Sequence, residues 1–225
     1  MRRPTTTILA LLLLIAIVTL LGPREQTLGA VARIVYLHGA LVWVALLTFA
    51  AAGLLGLASL LTAPLTAARH PHNPAGPPAP GRLAAALRRL PAWSRAAGRV
   101  ALLFWIAYLP LSMWAARAAW GRLYLDDPSF QNAFRILAVA LIAQALIWLR
   151  SRSAWLAGLL NAGVFAFLVL QLVATQKFMH PRSPIGDSNS LLIQLYFYLL
   201  TALCALLSLL LTRLLHRPDH PPPPT

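Results

Sequence analysis

Six apolar segments, most of them long enough to cross a membrane, leave this 225-residue chain few folds to choose from. They run over residues 7–22, 31–62, 99–118, 133–149, 154–175 and 191–215. A hydrocarbon core about 30 Å thick takes about 20 helical residues. With no water to satisfy the backbone, only helices or a closed barrel can span it, and no two-residue alternation of the barrel kind runs through these segments. The sequence therefore predicts an all-α integral membrane protein, a six-transmembrane-helix bundle forming a single domain over residues 1–217. The second segment is longer than lipid requires, so its first turns are expected in the outer interface. Residues 1–23 have the basic start and apolar core of a secretory signal, but no small-x-small cleavage site follows directly. They are read as an uncleaved first helix.

Composition agrees. Hydrophobic residues make up 59% of the chain and charged residues only 11%, against about 45–50% and 25% in soluble domains. A soluble enzyme is excluded. Nineteen Lys and Arg face five acids, for a net charge of +14. The arginines sit between the apolar runs, so the excess reads as topology rather than as a nucleic-acid surface. Placing both the N-terminus and the C-terminus in the cytoplasm puts twelve basic residues inside and seven outside, the direction that the positive-inside rule favours. The outer seven are Arg24, Arg33, Arg117, Arg122, Arg135, Lys177 and Arg182, enough to call for a reason of their own.

On the inner side, residues 64–98 read as a Pro-rich linker followed by an amphipathic stretch at 82–90, and 218–225 as a disordered Pro-rich tail. His70, His72, His216 and His220 lie in or beside this proline-rich sequence and are set aside as metal ligands. Cys204 is the single cysteine, which excludes dithiol chemistry and any internal disulfide.

Two histidines remain, His38 and His180, both on the outer side. Neutral imidazole suits iron, and haem is commonly held by axial histidine. Haem also needs an apolar slot, aromatic walls and cations for two propionates. Tyr36 and Trp43 flank His38, while Trp114, Trp120 and Tyr124 gather at the next outer loop. Arg33, Arg122 and Arg182 lie nearby in sequence and are suited to pairing carboxylates. The same residues admit a plainer reading. Interfacial belts enrich Trp and Tyr without any ligand, and Asp127–Pro128 suits a turn that starts the next helix. Asp126 and Asp127 adjoin, but no nucleophile accompanies them, so acid–base catalysis is not expected.

Taken together, these stretches resemble the cytochrome c assembly family of membrane haem-handling proteins. In that family a tryptophan-rich external loop, the WWD domain, lies between two external histidines. The first histidine motif is matched by Arg33, Ile34, Tyr36, His38 and Trp43, with Ala40 where the family has proline. The WWD core is matched by Trp120, Gly121, Asp127 and Pro128, with Tyr124 and Asp126 in place of two tryptophans. Met179, His180, Pro181, Arg182 and Ser183 match the second histidine motif loosely. The resemblance covers residue 33 to the end of the sixth segment and is nearest to the short branch that carries haem to a haem chaperone.

The resemblance implies a non-enzymatic haem-binding protein of the cell inner membrane, working in cytochrome c biogenesis with its haem site on the periplasmic side. It implies non-covalent haem b with His38 and His180 as axial ligands, and a platform of Trp120, Gly121, Tyr124, Asp127 and Pro128. Tyr36, Trp43 and Trp114 would form the aromatic wall, with Arg33, Arg122 or Arg182 on the propionates. The partners implied are haem, membrane lipid, a haem chaperone and an ABC-type transporter, with no nucleic acid. Two other readings stand beside it: a cofactor-free permease or scaffold subunit, and a bis-histidine electron-transfer subunit of the cytochrome b kind.

Overall fold

The computed structural model describes residues 4–67, 82–150, 153–174, 185 and 188–216. Over these residues the chain is helical, without an extended strand: α1 (Pro4–Leu20), α2 (Ala32–Ala67), α3 (Arg82–Leu87), α4 (Leu90–Trp120), α5 (Pro128–Leu149), α6 (Ala154–Ala174) and α7 (Leu191–Leu215). Five helical stretches are long and apolar enough to cross a membrane: α2, α3 with α4, α5, α6 and α7. α1 is equally apolar but shorter. The predicted all-helical architecture is therefore present, with five to six long apolar helices compatible with a membrane bundle.

Side-chain contacts fix how the helices run. Phe49 meets Trp105, and His38, earlier in α2, meets Tyr108, later in α4, so these two helices are antiparallel. Trp105 bonds Ala133 and Gly98 adjoins Gln144, which makes α5 antiparallel to α4. Gly53 adjoins Phe165 and Gly56 adjoins Gly158, so α6 runs against α2. Tyr36 meets Tyr196 and Thr48 bonds Ser208, so α7 runs with α2. One end of the bundle thus gathers the start of α2, the end of α4 and the start of α5; it is called the His38 end here. The opposite, arginine-rich end gathers the start of α4, the end of α5 and the end of α7.

The interior combines small, aliphatic and aromatic residues, and many leucines face outward. Tyr36, Val44, Val100, Ile147, Leu200 and Cys204 are fully buried, whereas Leu47, Leu54 and Leu61 of α2 are exposed. In water such a surface is unfavourable; against lipid tails it costs nothing, and packing is left to small residues and buried hydrogen bonds. A chain of such bonds joins four helices. Ser94 Oγ donates to the carbonyl of Ala52 (2.8 Å), Asn161 Nδ2 donates to Ser94 O and Oγ (3.0 and 2.9 Å), and Gln144 Nε2 donates to Asn161 Oδ1 (2.9 Å). Beside it α2 and α6 touch backbone to backbone: a Cβ on Gly56 would stand 2.6 Å from the carbonyl oxygen of Gly158.

Two helix starts differ from the sequence expectation. α4 begins at Leu90, nine residues ahead of the predicted start at residue 99, inside the stretch assigned to the linker. Pro91 sits in its first turn, where a missing N–H removes no helical bond. Ala92, Ser94, Ala96, Ala97 and Gly98 are buried, and so is Arg95. Low apolarity here reflects close packing of small side chains, not exposure. The predicted amphipathic stretch is the short α3, which buries no residue. α5 begins at Pro128 rather than 133, because Asp127 caps it.

Candidate functional site

His38 lies on the seventh residue of α2, about 9 Å along the helix from its start. Its Nδ1 stands 3.1 Å from the carbonyl oxygen of Val35. A carbonyl only accepts, so Nδ1 carries the hydrogen, and in the neutral ring Nε2 carries the lone pair. The imidazole stacks on Tyr108 of α4, with centroids 6.0 Å apart and planes 21° apart. Tyr108 in turn packs on Trp105 at 5.0 Å, and Trp105 Nε1 donates to Ala133 O of α5 (3.0 Å). The histidine is thus set by its own helix turn and by a two-ring column from α4. Sequence reasoning passed over Tyr108; the three-residue spacing from Trp105 on one helix face was the available signal.

At the same end, the loop after α4 forms a second cluster. Trp120 is the last residue of α4, and Gly121 takes φ of 76°, a left-handed helix end that returns its N–H to Arg117 O (2.9 Å). Glycine adopts this conformation without penalty. Beyond it the Arg122 guanidinium lies 4.2 Å from the centre of the Tyr124 ring, and Trp120 meets Tyr124 edge-on at 6.5 Å. Asp127 accepts the Ser129 N–H at 2.7 Å, and Pro128 is the first residue of α5. These two residues thus do the work that the plainer sequence reading assigned them. Asp127→Ala is expected to lower stability by about 1 kcal/mol, measured by thermal unfolding in detergent.

The remaining predicted residues are dispersed. Tyr36 is completely buried, edge-on to Tyr196 at 5.4 Å, and its hydroxyl has no hydrogen-bond partner among the described residues. Tyr196 bonds the Val18 carbonyl, so this aromatic pair ties α2, α7 and α1 together. Arg33 Nε donates to Gly22 O at 3.0 Å and fastens the α1–α2 turn. In that turn the Glu25 carboxylate accepts N–H bonds from Leu28 (2.7 Å) and Thr27 (2.8 Å), which hold its pKa below the ordinary 4.5. Trp43 and Trp114 are more than half exposed and face away from the bundle. His180 and Arg182 lie outside the described residues, as does the tail at 218–225. The helix ends that flank His180, those of α6 and α7, are at the His38 end.

Among the described residues no group of three His, Cys, Asp or Glu comes together. His38 has its Nδ1 on a backbone carbonyl, the kind of contact that commonly orients a metal-binding histidine. No family model, no curated protein and no solved structure matches the chain.

Proposed function

We propose that this chain is a haem-binding membrane protein of cytochrome c biogenesis that presents haem at its outer face for cytochrome c maturation. The observation that supports the reading is His38: an imidazole whose Nδ1 meets the Val35 carbonyl and whose ring stacks on Tyr108 at the end of an apolar bundle. Haem is the cargo, bound as haem b without a covalent link, and no bond in the protein is made or broken.

In this reading His38 and His180 are the axial ligands, one from α2 and one from the segment between α6 and α7. Trp120 and Tyr124 offer the flat apolar surface, while Gly121, Asp127 and Pro128 hold that loop's shape. Arg122, exposed and beside Tyr124, meets a propionate; Arg33 and Arg182 are the other candidates. Tyr36 supports the His38 turn from inside. Trp114, facing outward near the end of α4, acts as an interfacial anchor, the role that tryptophan commonly has at membrane surfaces, while Trp43 faces outward deeper along α2. By the positive-inside rule the arginine-rich end and both termini face the cytoplasm of the inner membrane, and the His38 end faces the periplasm. A haem chaperone and an ABC-type transporter are the partners.

Cells lacking the chain are expected to lose covalent haem staining of their c-type cytochromes while keeping the apo-polypeptides. Unchanged staining would sink the biogenesis role. Tyr108 supplies a finer test at the site itself. Tyr108→Phe is expected to bind haem as the wild type does, because the stacking ring remains. Tyr108→Ala is expected to lower haem affinity by about tenfold, the lower range for loss of a ligand-orienting neighbour, read by haem titration of the purified protein.

A further inference from the structure

Two groups of residues gather at the His38 end: the ring column of His38, Tyr108 and Trp105, and the loop cluster of Trp120, Arg122 and Tyr124. A run of contacts through the start of α5 joins them. On the loop side the Asp127 N–H donates to Tyr124 O (3.1 Å), the Asp127 carboxylate caps α5 at Ser129, and Gln131 Nε2 reaches back to Asp126 O (3.4 Å). Ala133 follows about one and a half helical turns beyond the cap, and its carbonyl accepts the Trp105 indole N–H at 3.0 Å.

On the column side, Trp105, Phe49 and Ala133 are all buried. A buried indole needs a partner for its N–H, and this one finds it on another helix, so the rotation of the ring is set by where α5 sits. Phe49 of α2 packs edge-on against the same indole at 5.9 Å. Tyr108, three residues on and on the same face of α4, lies 5.0 Å from Trp105 and 6.0 Å from His38, and its hydroxyl bonds Ser112 of its own helix. Ring contacts are loosely directional, whereas an N–H···O bond is strongly so. Trp105 is therefore the residue through which α5 can orient the column.

We propose that Trp105 is a positioning residue that transmits the seating of α5 to His38, so that moving the start of α5 turns the imidazole. On the haem reading, the halves so joined are the flat loop surface and an axial ligand, and a partner that displaces the loop loosens the ligand. That significance rests on the haem reading; the link itself does not.

Full-length protein without added haem, isotopically labelled at histidine Cε1 and purified in detergent, is to be followed by NMR, with the His38 resonance identified by its loss in His38→Ala. Asp127→Ala, which unfastens the start of α5, is expected to shift that resonance. In Trp105→Phe, which keeps a ring against Tyr108 but has no N–H, the same replacement is expected to shift it by less than about half as much. An unmoved resonance, or equal shifts in the two backgrounds, would overturn the proposal. Should Trp105→Phe not fold, the buried Trp105 indole N–H of the otherwise wild-type chain serves instead. It must shift together with His38 when Asp127 is replaced, and a His38 shift with the indole unmoved overturns the link. Haem titration adds a second readout. Trp105→Phe is expected to lower haem affinity by about threefold, less than Tyr108→Ala because it acts one ring further off, and to have no additional effect in the Tyr108→Ala background. Additive losses would contradict transmission through Tyr108. A wild-type chain that takes up no haem would sink the haem reading and leave the resonance test of Trp105 standing.

Discussion

His38→Ala is expected to reduce the haem carried by the purified protein to less than about a tenth of the wild-type amount, since even losing a group that only orients a ligand costs tenfold or more. The expectation follows from what holds the ring. Val35 accepts the Nδ1–H, and Tyr108 lies against the imidazole plane, so the ligand is ordered before haem arrives and little entropy opposes binding. Removing the ring leaves Tyr108, Trp105 and the helix turn in place. Imidazole in the buffer should therefore restore part of the Soret absorbance to His38→Ala, and it should not do so for Tyr108→Ala, where the ring is present but unsupported. His180→Ala is expected to weaken binding similarly, and the double variant to carry no haem. A His38→Ala protein with full haem content and an unshifted spectrum would remove His38 from the site.

The largest effect on the fold is expected at Gly56. A methyl group there would stand 2.6 Å from the Gly158 carbonyl oxygen and 3.2 Å from Ser94 Oγ. Backbone cannot swing aside as a side chain does, so α2 and α6 must separate. Overpacking alone costs about 1–3 kcal/mol. Separation also loosens the bonds from Ser94 to Ala52 and from Asn161 to Ser94, and a buried polar group left unpaired costs about 1–3 kcal/mol more. Gly56→Ala should lower stability by about 3 kcal/mol, measured by thermal or denaturant unfolding in detergent. Asn161→Leu, which strands the Gln144 amide, should cost about 2 kcal/mol. Gly163→Ala is the control. A Cβ there meets nothing within 4 Å, so better helix propensity should leave stability unchanged or raise it by up to about 1 kcal/mol. Equal losses at Gly56 and Gly163 would contradict a specific α2–α6 contact.

Much of the architecture was legible because apolarity over about 20 residues is a strong signal. It failed where packing relies on small or polar side chains. The first turns of α4 looked like linker because Ser94, Arg95 and Pro91 interrupt the apolar pattern, yet Ser94 and Arg95 are buried. Ser94 packs against Asn161 and Gly56, which are distant in sequence. The start of α5 was readable from Asp127 and Pro128 as a capping pair. The motif around His38 singled out that residue but not the ring it stacks on, since Tyr108 comes from another helix. Proximity in sequence also grouped Trp43 with His38, although the helix turns the tryptophan outward. Tyr36, two residues from His38, faces the opposite way, into the contact with Tyr196.

Haem content is the most direct measurement of whether haem binds at the His38 end. Full-length protein purified from haem-replete cells is expected to show a Soret band. Pyridine extraction of that protein should give close to one haem b per chain, with the band lost in the His38→Ala/His180→Ala variant. A clean, folded preparation with no Soret absorbance and no extractable haem would contradict the account and leave a cofactor-free membrane bundle in its place.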